Sequence, residues 1–191
     1  MSVEEASLVA SARAGDAEAF GKLIKQHSPR VFQVAFRITR NEASADDVVQ
    51  EACLRAYRKL DRFDGRAAFG TWLYRIAVNC AMDAMRKHSR NRETGELDTV
   101  AEQRPAPSKD PGPQRLAMSG EIAGQIETVL ERLSPMERTA FVLKHYEGRP
   151  LTEIAEIMDT RVNAVKHAIF RAVQKLRAEL APLVRGNYET A

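Results

Sequence analysis

The chain has 191 residues, 44% apolar and 29% charged, a balance that suits one ordinary globular domain or two small ones and argues against disorder throughout. It has no run of about 18 apolar residues to span a bilayer, and Met1 to Gly15 lacks the apolar block of an export signal, so a cytoplasmic protein without direct membrane insertion is expected. A net charge of +3 is too small to demand a nucleic-acid partner, which shifts the weight onto where the charge lies.

Helical periodicity runs through nearly every ordered-looking stretch and strand alternation is missing, which predicts an all-α fold. Ala17 to Gln26 and Arg30 to Thr39 read as two helices separated at Pro29. Ala45 to Leu60 reads as a longer helix that turns Val48, Val49, Ala52, Cys53, Ala56, Tyr57 and Leu60 inward. A loop over Asp61 to Ala67, with Gly65 for a turn, leads to a helix from Phe69 to about Lys87 whose buried stripe is Trp72, Leu73, Ile76, Ala77, Cys80 and Ala84. Cys53 and Cys80 fall on these apolar faces without metal or redox spacing, so both are expected in the core, and no metal or cofactor is expected.

Composition changes over residues 89–113, which hold four prolines, two glycines and scarcely any large apolar side chain; this is the signature of a flexible linker. As a coil it would average about 25 to 30 Å end to end and could stretch to about 80 to 90 Å. The predicted organisation is therefore a domain at 1–88, the linker at 89–113 and a second domain at 114–191. In the second, Leu116 to Leu133, Pro135 to Tyr146, Leu151 to Met158 and Val162 to Leu180 read as helices, with Ser134, Pro135 and Glu137 as a start signal.

Leu151 to Leu180 has the pattern of a helix-turn-helix. Ile154, Met158 and Val165 can lock its two helices, Ala155 lets them approach, and Thr152 or a residue just before it can cap the first. Val165, Ile169, Ala172 and Leu176 bury one face of the second helix, leaving Asn163, Lys166, His167, Phe170, Arg171 and Gln174 on the other. Thr160 to Ala178 carries Arg161, Lys166, Arg171, Lys175 and Arg177 with no carboxylate, which makes it the electropositive focus of the chain. Asn suits adenine, and Arg and Lys suit guanine or phosphate, so this face has the chemistry of a major-groove reader. Asp159 occupies the turn position that often holds glycine.

Two further constellations lie in the first domain. Asp46, Asp47, Gln50 and Glu51 form an acidic and amide patch that repels DNA and suits a basic protein, although Asp47, Glu51 and Arg55 in i, i+4 register also fit an ordinary solvated face. Arg75, Asn79, Asp83 and Arg86 form a polar ridge opposite the Trp72 stripe, close to the Phe63, Asp64 and Arg66 loop and to Phe69. Aromatics beside cations suit unstacked single-stranded bases, and a capped core helix with Trp72 as packing is the competing reading. His27, His88, His145 and His167 are scattered, and no carboxylate pair, phosphate loop or nucleophile setting points to an enzyme. A stand-alone repressor or activator using only the C-terminal reader is the alternative to a polymerase subunit.

DDVVQEACLRAYRKLDRF followed by FGTWLYRIAVNCAMDAMRK resembles the second domain of the extracytoplasmic-function sigma factors, a branch of the sigma-70 superfamily, and RLSPMERTAFVLKHYEGRPLTEIAEIMDTRVNAVKHAIFRAVQKLR resembles their fourth. The resemblance implies an alternative sigma factor, not an enzyme, that binds core RNA polymerase through the clamp coiled coil and flap of the large subunits. It implies core binding by Asp46, Asp47, Gln50 and Glu51. Phe63, Asp64, Arg66, Phe69, Trp72, Arg75, Asn79, Asp83 and Arg86 would recognise and open the −10 element of promoter DNA. Arg161, Asn163, Lys166, His167 and Arg171 would read the −35 element. The chain departs from common relatives at Asp159, Arg161, Asn163, Ala164 and Ala168, which the resemblance places among the base-reading positions. Members of the family are commonly held inactive by an anti-sigma protein. With only five residues after Gly186, a separate regulator is expected in place of a further domain.

Overall fold

A computed structural model describes residues 2–94, 129–130 and 132–186. Among the described residues every regular element is helical. The chain divides into two compact units, Met1–Arg104 and Pro105–Ala191.

The first unit opens with a helix that the periodicity did not announce, α1 (Val3–Arg13), capped by the Ser2 hydroxyl, which accepts from the Glu5 amide at 3.1 Å. Its apolar residues make no clean stripe; Val9 and Ala12 are buried, and the carboxylate of buried Glu5 lies 3.0 Å from His27 Nε2. Next comes α2 (Ala17–Thr39), capped by Asp16, which accepts from the Glu18 and Ala19 amides. It is one helix, not the two predicted to part at Pro29. Proline donates no bond to the preceding turn, but Leu23 on one side and Val31, Val34, Ala35 and Ile38 on the other are all buried, so tertiary packing holds both halves in one element.

α3 (Glu42–Lys59) starts on an Asn41 cap whose side chain accepts from the Ser44 amide at 2.7 Å. Its inner line of Ala45, Val48, Ala52 and Ala56 is almost wholly small, which lets the neighbouring helix backbones come close. Cys53 and Val49 lie only half inside, and Tyr57, predicted to point inward, is 53% exposed, with its ring edge-on to Phe20 at 5.1 Å. A 3-10 turn, Leu60–Arg62, leads to a loop turned at Gly65 (φ 73°) and then to α4 (Phe69–Thr94). α4 packs against both α2 and α3 and buries Leu73, Tyr74, Ala77, Val78, Cys80, Ala81 and Met82, a wider face than the predicted stripe, in which Trp72, Ile76 and Ala84 are half-buried. It also runs six residues into the segment read as linker; residues 95–113 lie outside the described set.

In the second unit most of the predicted Leu116 to Leu133 helix falls outside the described residues. Its last part places Leu130 and Leu133 against Ala172, with Phe141 packed beside them. α5 (Pro135–Phe141) begins with the expected start signal in full: the Ser134 hydroxyl accepts from the Glu137 amide, and the Glu137 carboxylate accepts from the Ser134 amide. Arg138 Nε donates to the Leu130 carbonyl at 2.8 Å. The stretch predicted as further α-helix, Val142–Tyr146, is a wider π-helical turn, closed by the Glu147 amide on the Val142 carbonyl.

α6 (Leu151–Ile157) and α7 (Val162–Gly186) form the helix-turn-helix. Thr152 does not cap α6; the cap position is Pro150, and Arg149 instead reaches Glu153 at 2.8 Å. Ile154, Ala155, Met158 and Val165 are buried as predicted. Asp159 takes the left-handed turn position at φ 48°, a conformation Asp tolerates better than most residues. Along α7 the buried line is Val165, Ala168, Ala172 and Leu176, with the predicted Ile169 only half inside. Ala168, not Ile169, is therefore the residue turned fully to the core between Val165 and Ala172.

Candidate nucleic-acid and partner interfaces

On α3, Asp46, Asp47 and Gln50 are exposed, while Glu51 is half-buried and accepts from Arg55 Nε at 2.6 Å. Arg55 continues across the unit, its Nη1 lying 3.2 Å from an Asp83 oxygen on α4, and Arg86 reaches the other Asp83 oxygen at 3.5 Å. The fold therefore joins two groups that lie apart in the sequence, Glu51 of the acidic patch and Asp83 of the ridge, through Arg55. Sequence reasoning also passed over Leu54, 52% exposed on the same helix. With Asp47, Gln50 and Tyr57 it follows a three, four, three spacing that could have revealed it.

The aromatic part of the predicted strand-opening set divides. Phe69 is fully buried and Phe63 is 3% exposed, so neither is available to a base. Their rings pack edge to face at 6.0 Å, and each meets Trp72, at 5.1 Å from Phe63 and 5.7 Å from Phe69. The reason is chemical: phenyl rings carry no polar handle and complete the apolar seam where the loop enters α4. Trp72, half-buried, sits over this cluster with part of its surface open. Asp64 and Arg66 are exposed and tied to each other, the Arg66 amide to Oδ1 at 3.0 Å and the guanidinium to Oδ2 at 2.9 Å. Such an exposed pair is weak, so phosphate can displace the carboxylate. Along α4, Arg75 and Asn79 are half-buried and Asp83 and Arg86 exposed. Their four, four, three spacing puts them on one face, and the Asn79 amide donates to the Arg75 carbonyl at 2.9 Å.

On α7, Arg161, Asn163, Lys166 and His167 are all exposed, as is Phe170 at 62%. Arg171 differs from them. Its Nε bonds the Glu137 carboxylate at 2.8 Å, and Lys175 Nζ bonds the other Glu137 oxygen at 2.7 Å. Burial pushes the Glu137 carboxyl up, but hydrogen bonds from Lys175, the Ser134 amide and Arg171 outweigh it and hold it down at about 2. Ala168, counted among the base-reading positions, is fully buried and faces the core. Its divergence from relatives belongs to packing.

Among the described residues no group of three or more His, Cys, Asp or Glu side chains is placed to hold a metal, and no helix is long and apolar enough to cross a membrane. Cys80 is buried and its thiol is pushed up to about 11, chiefly by burial, which makes it an inert core residue.

Residues 23–91 match the family model of Sigma-70 region 2, and residues 123–176 that of Sigma-70, region 4. The chain is 36% identical over 184 residues to the ECF RNA polymerase sigma-E factor of Escherichia coli K12, covering 93% of this chain and 95% of that protein. The chain belongs to the extracytoplasmic-function sigma factors. A second relative of this sigma factor, the RNA polymerase sigma-H factor of Pseudomonas aeruginosa, is 32% identical over 188 residues, covering 95% and 96% of the two chains. Among solved structures, CnrH in complex with the cytosolic domain of CnrY is similar with a TM-score of 0.61 and 27% identity, covering 94% of this chain and 98% of that one. The sigma factor RpoE in complex with the anti-sigma factor NepR from Bartonella quintana, 21% identical, shares the fold with a TM-score of 0.63, covering 86% and 98%. This protein is thus an alternative sigma factor that directs promoter-specific transcription initiation. The reading as a stand-alone repressor or activator falls. Region 2 takes in α3 and α4 as far as Asn91, with both of their polar faces, and region 4 takes in α6 and α7 as far as Leu176.

Proposed function

We propose that residues 1–88 act as sigma domain two and 114–191 as domain four, with 89–113 as the tether between them and α4 extending a short way into it. Asp46, Asp47 and Gln50 dock on the basic clamp coiled coil of core polymerase, with Glu51 shared between that partner and Arg55. Trp72, Arg75, Asn79, Asp83 and Arg86, with Asp64 and Arg66 at the loop, meet and open the −10 element, while Phe63 and Phe69 support Trp72 from beneath. Arg161, Asn163, Lys166 and His167 read the −35 element in duplex form, while Arg171, tied to Glu137, stands apart from these base readers. Domain four also meets the polymerase flap. The protein works in the cytoplasm as a binding subunit, not a catalyst, and an anti-sigma protein holds it inactive. Support for that last role comes from the CnrH and RpoE neighbours, solved with CnrY and with the anti-sigma factor NepR respectively.

The observation that carries this reading is the pairing on one small unit of an exposed acid-amide face on α3 with a cationic, amide-bearing ridge on α4. The first suits a basic protein and the second suits DNA. Asp47→Ala with Gln50→Ala should abolish comigration with core polymerase in gel filtration and leave the circular dichroism spectrum unchanged. Undiminished comigration would remove the docking assignment.

A further inference from the structure

A buried carboxylate on α5 packs against the recognition helix, where a DNA reader has least use for one. Glu137 stands at the first turn of α5, 34 residues from Arg171 in sequence, and its side chain is only 5% exposed. Both oxygens are committed, one to Arg171 Nε at 2.8 Å and the other to Lys175 Nζ at 2.7 Å and to the Ser134 amide at 3.0 Å. The two cations belong to the α7 segment with the highest positive charge in the chain, and their side chains are 54% and 44% exposed. They stand within reach of solvent yet are drawn to an interior anchor.

We propose that Glu137 is a positioning residue that withholds Arg171 and Lys175 from the DNA backbone, so that domain four binds duplex by its base-reading side chains more than by sequence-independent charge. The inference rests on the reading of α7 as the −35 contact. Duplex affinity that comes from phosphate contacts is indifferent to sequence and falls with salt by a slope of about 0.9 per phosphate neutralised. Base contacts carry the discrimination. A buried acid that neutralises part of the charge beside the reader lowers the first and leaves the second. Arg171 and Lys175 are one turn apart on α7, so a single carboxylate at the start of α5 can hold both. The arrangement also fixes α5 to α7, which keeps the recognition helix at one angle.

The test uses the full chain reconstituted with core polymerase, with duplexes selected from a random pool by the wild-type holoenzyme as promoter and unselected duplexes as random DNA. Glutamine at position 137 keeps an acceptor for the Ser134 amide and removes the charge. Glu137→Gln should therefore steepen the salt slope for random duplex by about one to two, strengthen random binding severalfold at low salt, and lower the ratio of promoter to random affinity. Lys175→Gln, which can still donate to Glu137, should keep the wild-type slope. A folded Glu137→Gln with an unchanged slope overturns the proposal while the sigma reading stands. If Glu137→Gln does not fold, Lys175→Gln decides: an unchanged slope supports withholding, and a slope shallower by about one overturns it. A wild-type holoenzyme that selects no duplex and makes no promoter-dependent transcript overturns both.

Discussion

Lowering the pH should weaken the second unit, and Glu137 sets the window. Its carboxyl is held at about 2 against an ordinary value of 4.5. A depressed carboxyl contributes stability that is fully present above the unfolded value and drains away as pH falls towards the folded one. The difference of two and a half corresponds to about 3 kcal/mol, and screening at the half-exposed Arg171 and Lys175 trims it towards about 2 kcal/mol. By pH 3 roughly half or more of that contribution should be gone. The assay is urea unfolding of wild type and Glu137→Gln from pH 7 to pH 3. Circular dichroism reports both units, while emission from Trp72, the one tryptophan, reports the first. The stability gap between the two proteins should be constant above pH 5.5, confined to the dichroism transition, and should close as pH falls. A gap that stays constant down to pH 3, or one that appears equally in Trp72 emission, would refute the reasoning.

Three other outcomes follow from particular contacts. Asn79→Ala should leave core binding normal and reduce permanganate reactivity of promoter thymines; unchanged footprints would remove Asn79 from the opening step. Gly70→Ala should cost about 1 to 3 kcal/mol in thermal unfolding, because the new methyl would sit 2.5 Å from the His27 ring, itself held by Glu5. The loss should largely vanish in a His27→Ala background, and persistence there would locate the strain elsewhere. Asp159→Val should destabilise the helix-turn-helix by about 1 to 2 kcal/mol because a branched side chain resists the left-handed turn, whereas Asp159→Gly should not. Equal effects of the two would argue against a backbone cause.

Features that depend on neighbours along the chain could be read without a structure. The Ser134 and Glu137 capping box, the left-handed Asp159 and the buried Ile154, Met158 and Val165 all rest on spacings within two turns. The family blocks were equally visible because they too are local. What escaped depends on partners far away. α1 is held in part by the Glu5 and His27 pair, 22 residues apart, and no stripe marks it. Pro29 fails to divide α2 because packing on both sides outweighs one missing backbone bond. Phe63 and Phe69 have a composition that suits stacking on bases or packing in a core, and only the ring cluster with Trp72 distinguishes the two. Arg55 fits a solvated face and Glu137 a local cap, and only the fold sets them between elements, Arg55 on Asp83 and Glu137 on Arg171 and Lys175.

The central claim is that this chain delivers polymerase to promoters by two separate DNA contacts, and reconstitution with purified core RNA polymerase tests it most directly. The account predicts that the full chain comigrates with core and that the complex initiates at defined start sites on genomic fragments where core alone does not. A chain that binds duplex by itself but neither joins core nor directs initiation would contradict it.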